Sequence, residues 1–236
     1  MYNQLIKEFR ALKDDGYHKQ LTYFFKTGPG QYGEGDQFLG LRMSDIRKVA
    51  SKYRELELLQ VQKLIDSKWH EERMLGLIIL VNQYQIEKKD NPKQATKLYK
   101  YYLKNFKQIN NWDLVDVTAP KIVGAELFEK DRDVLYKWVK SNHLWTRRIS
   151  IVSTWHFIKN KDYKDAIKLS KLLLNDKEDL MHKASGWMLR EVGKKDRETL
   201  DKFLKTNYKK MPRTMLRYSI EKHPESVRKK ILKGTW

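Results

Sequence analysis

The sequence predicts an all-α fold assembled from repeated helix pairs, on three observations. Apolar residues recur at helical spacing almost everywhere, as in Leu135, Trp138 and Val139 or Leu169, Leu172 and Leu173, and the period-two alternation of a half-buried strand is hard to find. Capping side chains or an N1 proline stand ahead of the apolar runs at Ser44-Asp45, Asp66-Ser67, Asn91-Pro92, Asp131, Asp162 and Asp196, marking helix starts separated by short polar links. Three of the helices also open alike.

Lys68-Trp69-His70-Glu71-Glu72-Arg73 leads into Met74-Leu75-Gly76-Leu77-Ile78, Leu144-Trp145-Thr146-Arg147-Arg148 into Ile149-Ser150-Ile151-Val152, and Met181-His182-Lys183 into Ala184-Ser185-Gly186-Trp187-Met188-Leu189. The basic residues Arg73, Arg148 and Lys183 are spaced near two periods and one period of a helix-pair repeat, and Trp112 to Val123 fills the slot between. Such a period is that of a HEAT-like solenoid, in which each helix pair buries its apolar face only against a neighbour. The expectation is one domain over residues 1–236, a HEAT-like solenoid with a basic concave face. One segment stands outside the pattern. Thr27 to Gln37, with four glycines and a proline, reads as a loop inserted between two helical regions, either an ordered turn or a lid.

Composition narrows the partners. Apolar residues make up 40% of the 236 and charged residues 33%, a globular balance. Lys and Arg number 49 against 30 Asp and Glu, and a net charge of +19 implies a polyanionic partner, nucleic acid first and an anionic membrane surface second. There is no cysteine, which excludes disulfides and thiolate chemistry. The first residues lack a signal-peptide core, and the longest apolar stretch, Met74 to Val81, is far short of a membrane span. A cytoplasmic, nucleoid-associated monomer is expected.

Most catalytic signatures are missing. Gly28-Pro29-Gly30-Gln31-Tyr32-Gly33 matches the dinucleotide fingerprint only formally, since no strand precedes it and no βαβ pattern surrounds it. The six histidines show no metal-ligand spacing and read as structural or solvated, and no nucleophile elbow, Walker A or kinase signature occurs. No metal and no cofactor is expected.

The informative stretch is Asn110-Asn111-Trp112-Asp113-Leu114-Val115-Asp116-Val117-Thr118-Ala119-Pro120. Trp112 and Asp116 lie four apart, on one helical face. Asp113 reads as a cap or a solvent-facing residue. Asp116, among Val115, Val117 and Ala119, is either one half of an ion pair locking neighbouring repeats or a carboxylate in an aromatic, water-poor cleft. If the repeats stack in register, Trp112, Asp116, Arg148 and Trp187 converge on the concave face.

These residues carry a resemblance over nearly the whole chain. The sequence resembles the AlkD-like DNA glycosylases, HEAT-like-repeat enzymes of DNA alkylation repair. The shared pieces are the Tyr23 helix leading to Asp36-Gln37-Phe38-Leu39-Gly40-Leu41-Arg42, then Trp69-His70-Glu71-Glu72-Arg73 and Trp112-Asp113-Leu114-Val115-Asp116. They continue in Trp145-Thr146-Arg147-Arg148, in His182-Lys183-Ala184-Ser185-Gly186-Trp187-Met188-Leu189-Arg190-Glu191 and in Met211-Pro212-Arg213-Thr214. The resemblance implies hydrolytic removal of cationic N3- and N7-alkylpurines from double-stranded DNA. Asp116 would be the catalytic carboxylate, Arg148 the cleft arginine, Trp112 and Trp187 the aromatic walls, and Tyr23 the aromatic facing the lesion. Arg147, Lys183, Arg190 and Arg213 would hold the DNA backbone. The glycine-rich insertion is longer than in the best-known members, and His156 stands where a lysine is expected. The alternative is a non-catalytic helical-repeat protein that binds duplex or branched DNA; a protein scaffold would leave +19 unexplained.

Overall fold

A computed structural model describes residues 1–236, and it is all-α: helices and turns account for the chain, with a single isolated β-bridge between Gln37 and Trp69. The chain forms two compact units, Met1–Thr118 and Ala119–Trp236.

The first unit runs through α1 (Tyr2–Arg10), α2 (Asp15–Phe24), α3 (Met43–Lys52), α4 (Leu58–Ile65), α5 (His70–Asp90), α6 (Pro92–Lys104) and α7 (Trp112–Ala119). Its centre is α5, which packs against α3, α4 and α6. The sequence explains why: from Met74 to Val81 every residue is apolar or glycine and every one is buried, and a helix apolar on all sides belongs inside. Gly76 lets α4 come close, since a Cβ there would lie 2.8 Å from the Cβ of Leu64.

Helix starts follow the capping signals, with small displacements. Asn91 caps α6 by accepting from the Gln94 amide at 3.3 Å, with Pro92 in the first turn. Ser67 accepts from the Trp69 amide at 3.1 Å, and α5 opens two residues further on than Asp66-Ser67 suggests. α3 opens earlier, at Met43, ahead of Ser44-Asp45.

Residues 27–37 are a succession of turns, closed by backbone bonds from Gln31 to Gly28 (3.1 Å), Gly33 to Lys26 (3.2 Å) and Asp36 to Gly33 (3.0 Å). Gly33 is required here, because a side chain would strike the Phe25 carbonyl at 2.3 Å. The segment then runs beside the start of α5, where the His70 amide donates to the Gln37 carbonyl at 2.8 Å.

The second unit opens on a π-helical turn, Pro120–Gly124, and continues through α8 (Ala125–Leu127), α9 (Asp133–Trp138), α10 (Leu144–Lys159), α11 (Lys164–Leu172), α12 (Asp179–Lys195), α13 (Arg197–Asn207), α14 (Arg213–Ser219) and α15 (Glu225–Lys233). α12 is its hub, packed against α10, α11, α13 and α14. Asp131 and Asp162 accept the amides two residues on, at 2.9 and 3.3 Å, just ahead of α9 and α11. Asp196 caps α13 through the Thr199 amide at 2.9 Å. Arg132 ties the start of α9 to α11 through Asp162 (2.6 Å) and Asp165 (2.7 Å). No helix of either unit is long and apolar enough to cross a membrane.

Candidate active site

The first turn of α7 opens on a cavity of about 610 Å³ in the first unit, lined by Trp112, Asp113 and Asp116 of α7 and by Tyr23, Phe24 and Phe25 at the end of α2. Its wall is a run of stacked rings. Trp112 lies on Phe25 at 5.2 Å between centroids and 14° between planes, Phe25 on Phe38 at 5.0 Å, and Phe38 on the His70 imidazole at 4.7 Å. Phe24 meets Trp112 edge-on at 5.9 Å. Each such pair contributes about 1 kcal/mol beyond the area it buries. At the rim Tyr23 is 90% exposed and Phe24 60%, two adjacent large aromatics presented to whatever enters.

Asp116 is half-buried on this wall, one turn beyond Trp112. The interior lies behind it. Tyr102 is fully buried and its hydroxyl shares a 2.8 Å hydrogen bond with Thr118. Burial pushes the Tyr102 hydroxyl far above its ordinary range, and the negative charge of Asp116 pushes it the same way.

Asp113 corrects the sequence reading. It does not face solvent but is a buried carboxylate: one oxygen accepts from the Leu114 amide in the first turn of α7 at 2.8 Å, and the other accepts from His70 Nε2 at 2.9 Å. The other ring nitrogen of His70 bonds Asp36 at 3.1 Å. Asp36 also accepts from the Asn111 amide at 2.8 Å and from Arg73. Burial alone would strip the proton from His70, but the charge and hydrogen bond of Asp113, reinforced by Asp36, lift it instead to about 9. For Asp36 burial favours the neutral acid, yet the His70 bond and the Arg73 charge outweigh it and hold the carboxyl below its ordinary value. A buried imidazolium therefore sits between two carboxylates beside the cavity. With both ring nitrogens engaged it offers no lone pair to a metal, and no group of three or more His, Asp or Glu side chains is set to hold one. Glu71, the next residue, is buried and accepts from the amides of Leu39 (2.9 Å), Gly40 (2.9 Å) and Leu41 (3.2 Å).

Of the expected site residues, Tyr23, Trp112 and Asp116 line this one cavity. Arg148 and Trp187 belong to the second unit. Arg148 is buried on α10 and donates to the Leu180 carbonyl at 2.7 Å; Trp187 is half-buried on α12, its ring 5.7 Å from that of Trp155, over which Lys159 sits at 3.9 Å. His156 lies edge-on to Phe128 at 5.5 Å. The four expected backbone-binding cations differ in how they are held. Arg213 is exposed and donates to the Leu232 carbonyl at 2.7 Å. Lys183 pairs with Asp179 at 2.9 Å. Arg190 pairs with Glu221, and Arg147 is engaged with Asp176 at 2.8 Å and with the Ser141 carbonyl at 2.9 Å.

Phe25, Phe38, Asp36 and His70 were not among the expected site residues. The signal that could have found His70 is His70-Glu71-Glu72-Arg73, four polar residues opening onto Met74 to Val81, a stretch apolar on every side. Such a helix has no solvent face to offer them, so they must be buried and paired.

The sequence matches a family model, described as DNA alkylation repair enzyme, over residues 5–223. The chain belongs to that family. Solved structures share its fold at low identity. A predicted DNA alkylation repair enzyme from Enterococcus faecalis is 13% identical, with a TM-score of 0.69 over 90% of this chain and 97% of that one. AlkD2 from Streptococcus mutans is 15% identical, with a TM-score of 0.57 over 89% and 98%. The smu.31 protein of Streptococcus mutans UA159 is 16% identical, with a TM-score of 0.52 over 92% and 94%. No curated protein matches the sequence.

Proposed function

We propose that this repair enzyme is a monofunctional DNA glycosylase that hydrolyses the N-glycosidic bond of cationic N3- and N7-alkylpurines in duplex DNA. The observation that carries the reading is Asp116, a half-buried carboxylate on the wall of an aromatic cavity, one turn from Trp112. An alkylated purine already bears a positive charge, so its departure needs no proton. The bond from C1′ to the purine nitrogen breaks with its electron pair going to the base, which leaves neutral, and the sugar takes on oxocarbenium character. Asp116 stabilises that developing charge and orients the water whose oxygen bonds to C1′, the water's proton passing to solvent. The indole of Trp112 and the exposed ring of Tyr23 suit a cationic sugar and lesion. For Arg148, as the cleft arginine, and Trp187, as an aromatic wall, the support is the motif resemblance alone. Among the backbone cations Arg213 is the most open to a phosphate and Arg147 the least, its guanidinium being tied to Asp176. The charge of +19 supports double-stranded DNA as the partner.

The test is Asp116→Asn in single-turnover excision from methylated duplex, with released bases separated by chromatography. The charge is lost while size and hydrogen-bonding capacity remain. The expected loss is about a hundredfold in rate, or ~3 kcal/mol, at nearly unchanged melting temperature and DNA affinity. Unchanged base release by the variant refutes the role of Asp116. A wild-type protein that binds duplex but releases no base supports the non-catalytic alternative.

A further inference from the structure

Trp112 is bracketed. The residue before it, Asn111, has its side-chain oxygen on the Trp112 amide at 2.8 Å and its side-chain nitrogen on Asp36 at 2.8 Å. The residue after it, Asp113, accepts from the Leu114 amide at 2.8 Å through one oxygen and from His70 Nε2 at 2.9 Å through the other. Asp36 and Asp113 in turn meet on the two nitrogens of one imidazole. That same ring ends the aromatic stack that runs through Phe38 and Phe25 to the Trp112 indole. Backbone and side chain of Trp112 are thus referred to a single buried group on the first turn of α5, a helix held in the middle of the unit.

We infer that His70, clamped between Asp36 and Asp113, is a positioning residue for base excision: it sets the first turn of α7, and with it the Trp112 indole and the Asp116 carboxylate one turn on, against the lesion. The inference rests on the glycosylase reading and adds to it Asp36, His70 and Asp113, argued to act through Trp112 and Asp116; His70 and Asp113 also line the cavity. It also gives the glycine-rich turns a task. They deliver Asp36, at the end of residues 27–37, into the buried network, where Arg73 and Asn111 hold it. The insertion acts as a brace on the cavity's wall.

The two nitrogens of His70 can be tested separately. The amide nitrogen of a glutamine reaches the position of Nε2 and so keeps the bond to Asp113; that of an asparagine reaches the position of Nδ1 and keeps only the bond to Asp36. Both remove the ring and its charge. His70→Gln is expected to keep single-turnover excision within about tenfold of wild type, and His70→Asn to lose about a hundredfold, the scale of a catalytic group displaced by roughly 1 Å. Melting temperature and affinity for undamaged duplex should fall equally in the two variants. The second readout needs no activity: the Trp112 indole N–H resonance, assigned by Trp112→Phe, should stay near its wild-type position in His70→Gln and move in His70→Asn. Equal excision losses in the two variants, or losses that track melting temperature, overturn the inference. So does an indole resonance that is unmoved in both. If the wild-type protein releases no base the glycosylase reading fails by itself, and the indole resonance still decides whether His70 positions Trp112.

Discussion

Glu71→Gln swaps one oxygen for an NH2 group and changes almost nothing in size, yet the geometry around Glu71 makes it costly. One carboxylate oxygen accepts from Gly40 and Leu41, the other from Leu39. Glutamine can keep only one of these oxygens. If it keeps the first, its amide nitrogen faces the Leu39 N–H, donor against donor; if it keeps the second, two amides lose their acceptor. Glu71 is 2% exposed, so water cannot replace what is lost. One buried donor left unsatisfied costs about 1–3 kcal/mol, and the remaining bonds weaken when the acceptor is no longer charged, so the expected loss is about 3 kcal/mol. The three amides cannot simply move away. Gly40 is held at φ +85 against α2, where even a Cβ would sit 2.0 Å from the Asp14 carbonyl. Urea denaturation followed by helical circular dichroism measures the change, with Glu55→Gln, an exposed glutamate, as the control. A loss below about 0.5 kcal/mol, the level of a surface substitution, would refute the claim that this carboxylate pins residues 39–41.

Two further outcomes follow from the charges. His70 is lifted from 6.5 to about 9, so its contribution to stability is complete below about 6.5 and disappears as pH rises through about 9. At ~1.4 kcal/mol per pH unit the amount at stake is about 3 kcal/mol, read as a drop in unfolding free energy between pH about 6 and about 10 that His70→Gln flattens. Affinity for undamaged duplex should fall steeply with salt as phosphate contacts displace counterions, and Arg213→Ala should make the slope shallower by about one unit. A salt-independent affinity would count against duplex DNA as the partner.

How much of this was legible in the sequence depended on the range of the interaction. The helical class was plain, because apolar spacing and caps are local: Asn91 and Asp196 cap the helices they precede. Tyr23, Trp112 and Asp116 were also identified, and they share a cavity. The solvent-facing alternative for Asp113 failed for a physical reason. Its position on the helix says only which way it points relative to Asp116, whereas its fate is set by His70, 43 residues earlier. The same holds for Asp36, whose partners His70, Arg73 and Asn111 lie 34, 37 and 75 residues away. A glycine-rich segment suggests mobility when read locally. Its last acidic residue, Asp36, is anchored instead by His70, Arg73 and Asn111.

The glycines at helix crossings bear on how such a protein can diverge. Gly76 meets α4, and Gly186 meets α14, where a Cβ would come within 2.6 Å of the Met215 carbonyl. At these crossings the spacing between helices is set by the absence of one side chain. Around them the interfaces are apolar contacts, for which size and hydrophobicity matter more than identity. A lineage can therefore replace most of its residues while a few glycines keep the gauge of the stack, as sleepers keep the gauge of a railway. A fold specified this sparsely is open to new loops and new cavity linings without being redesigned.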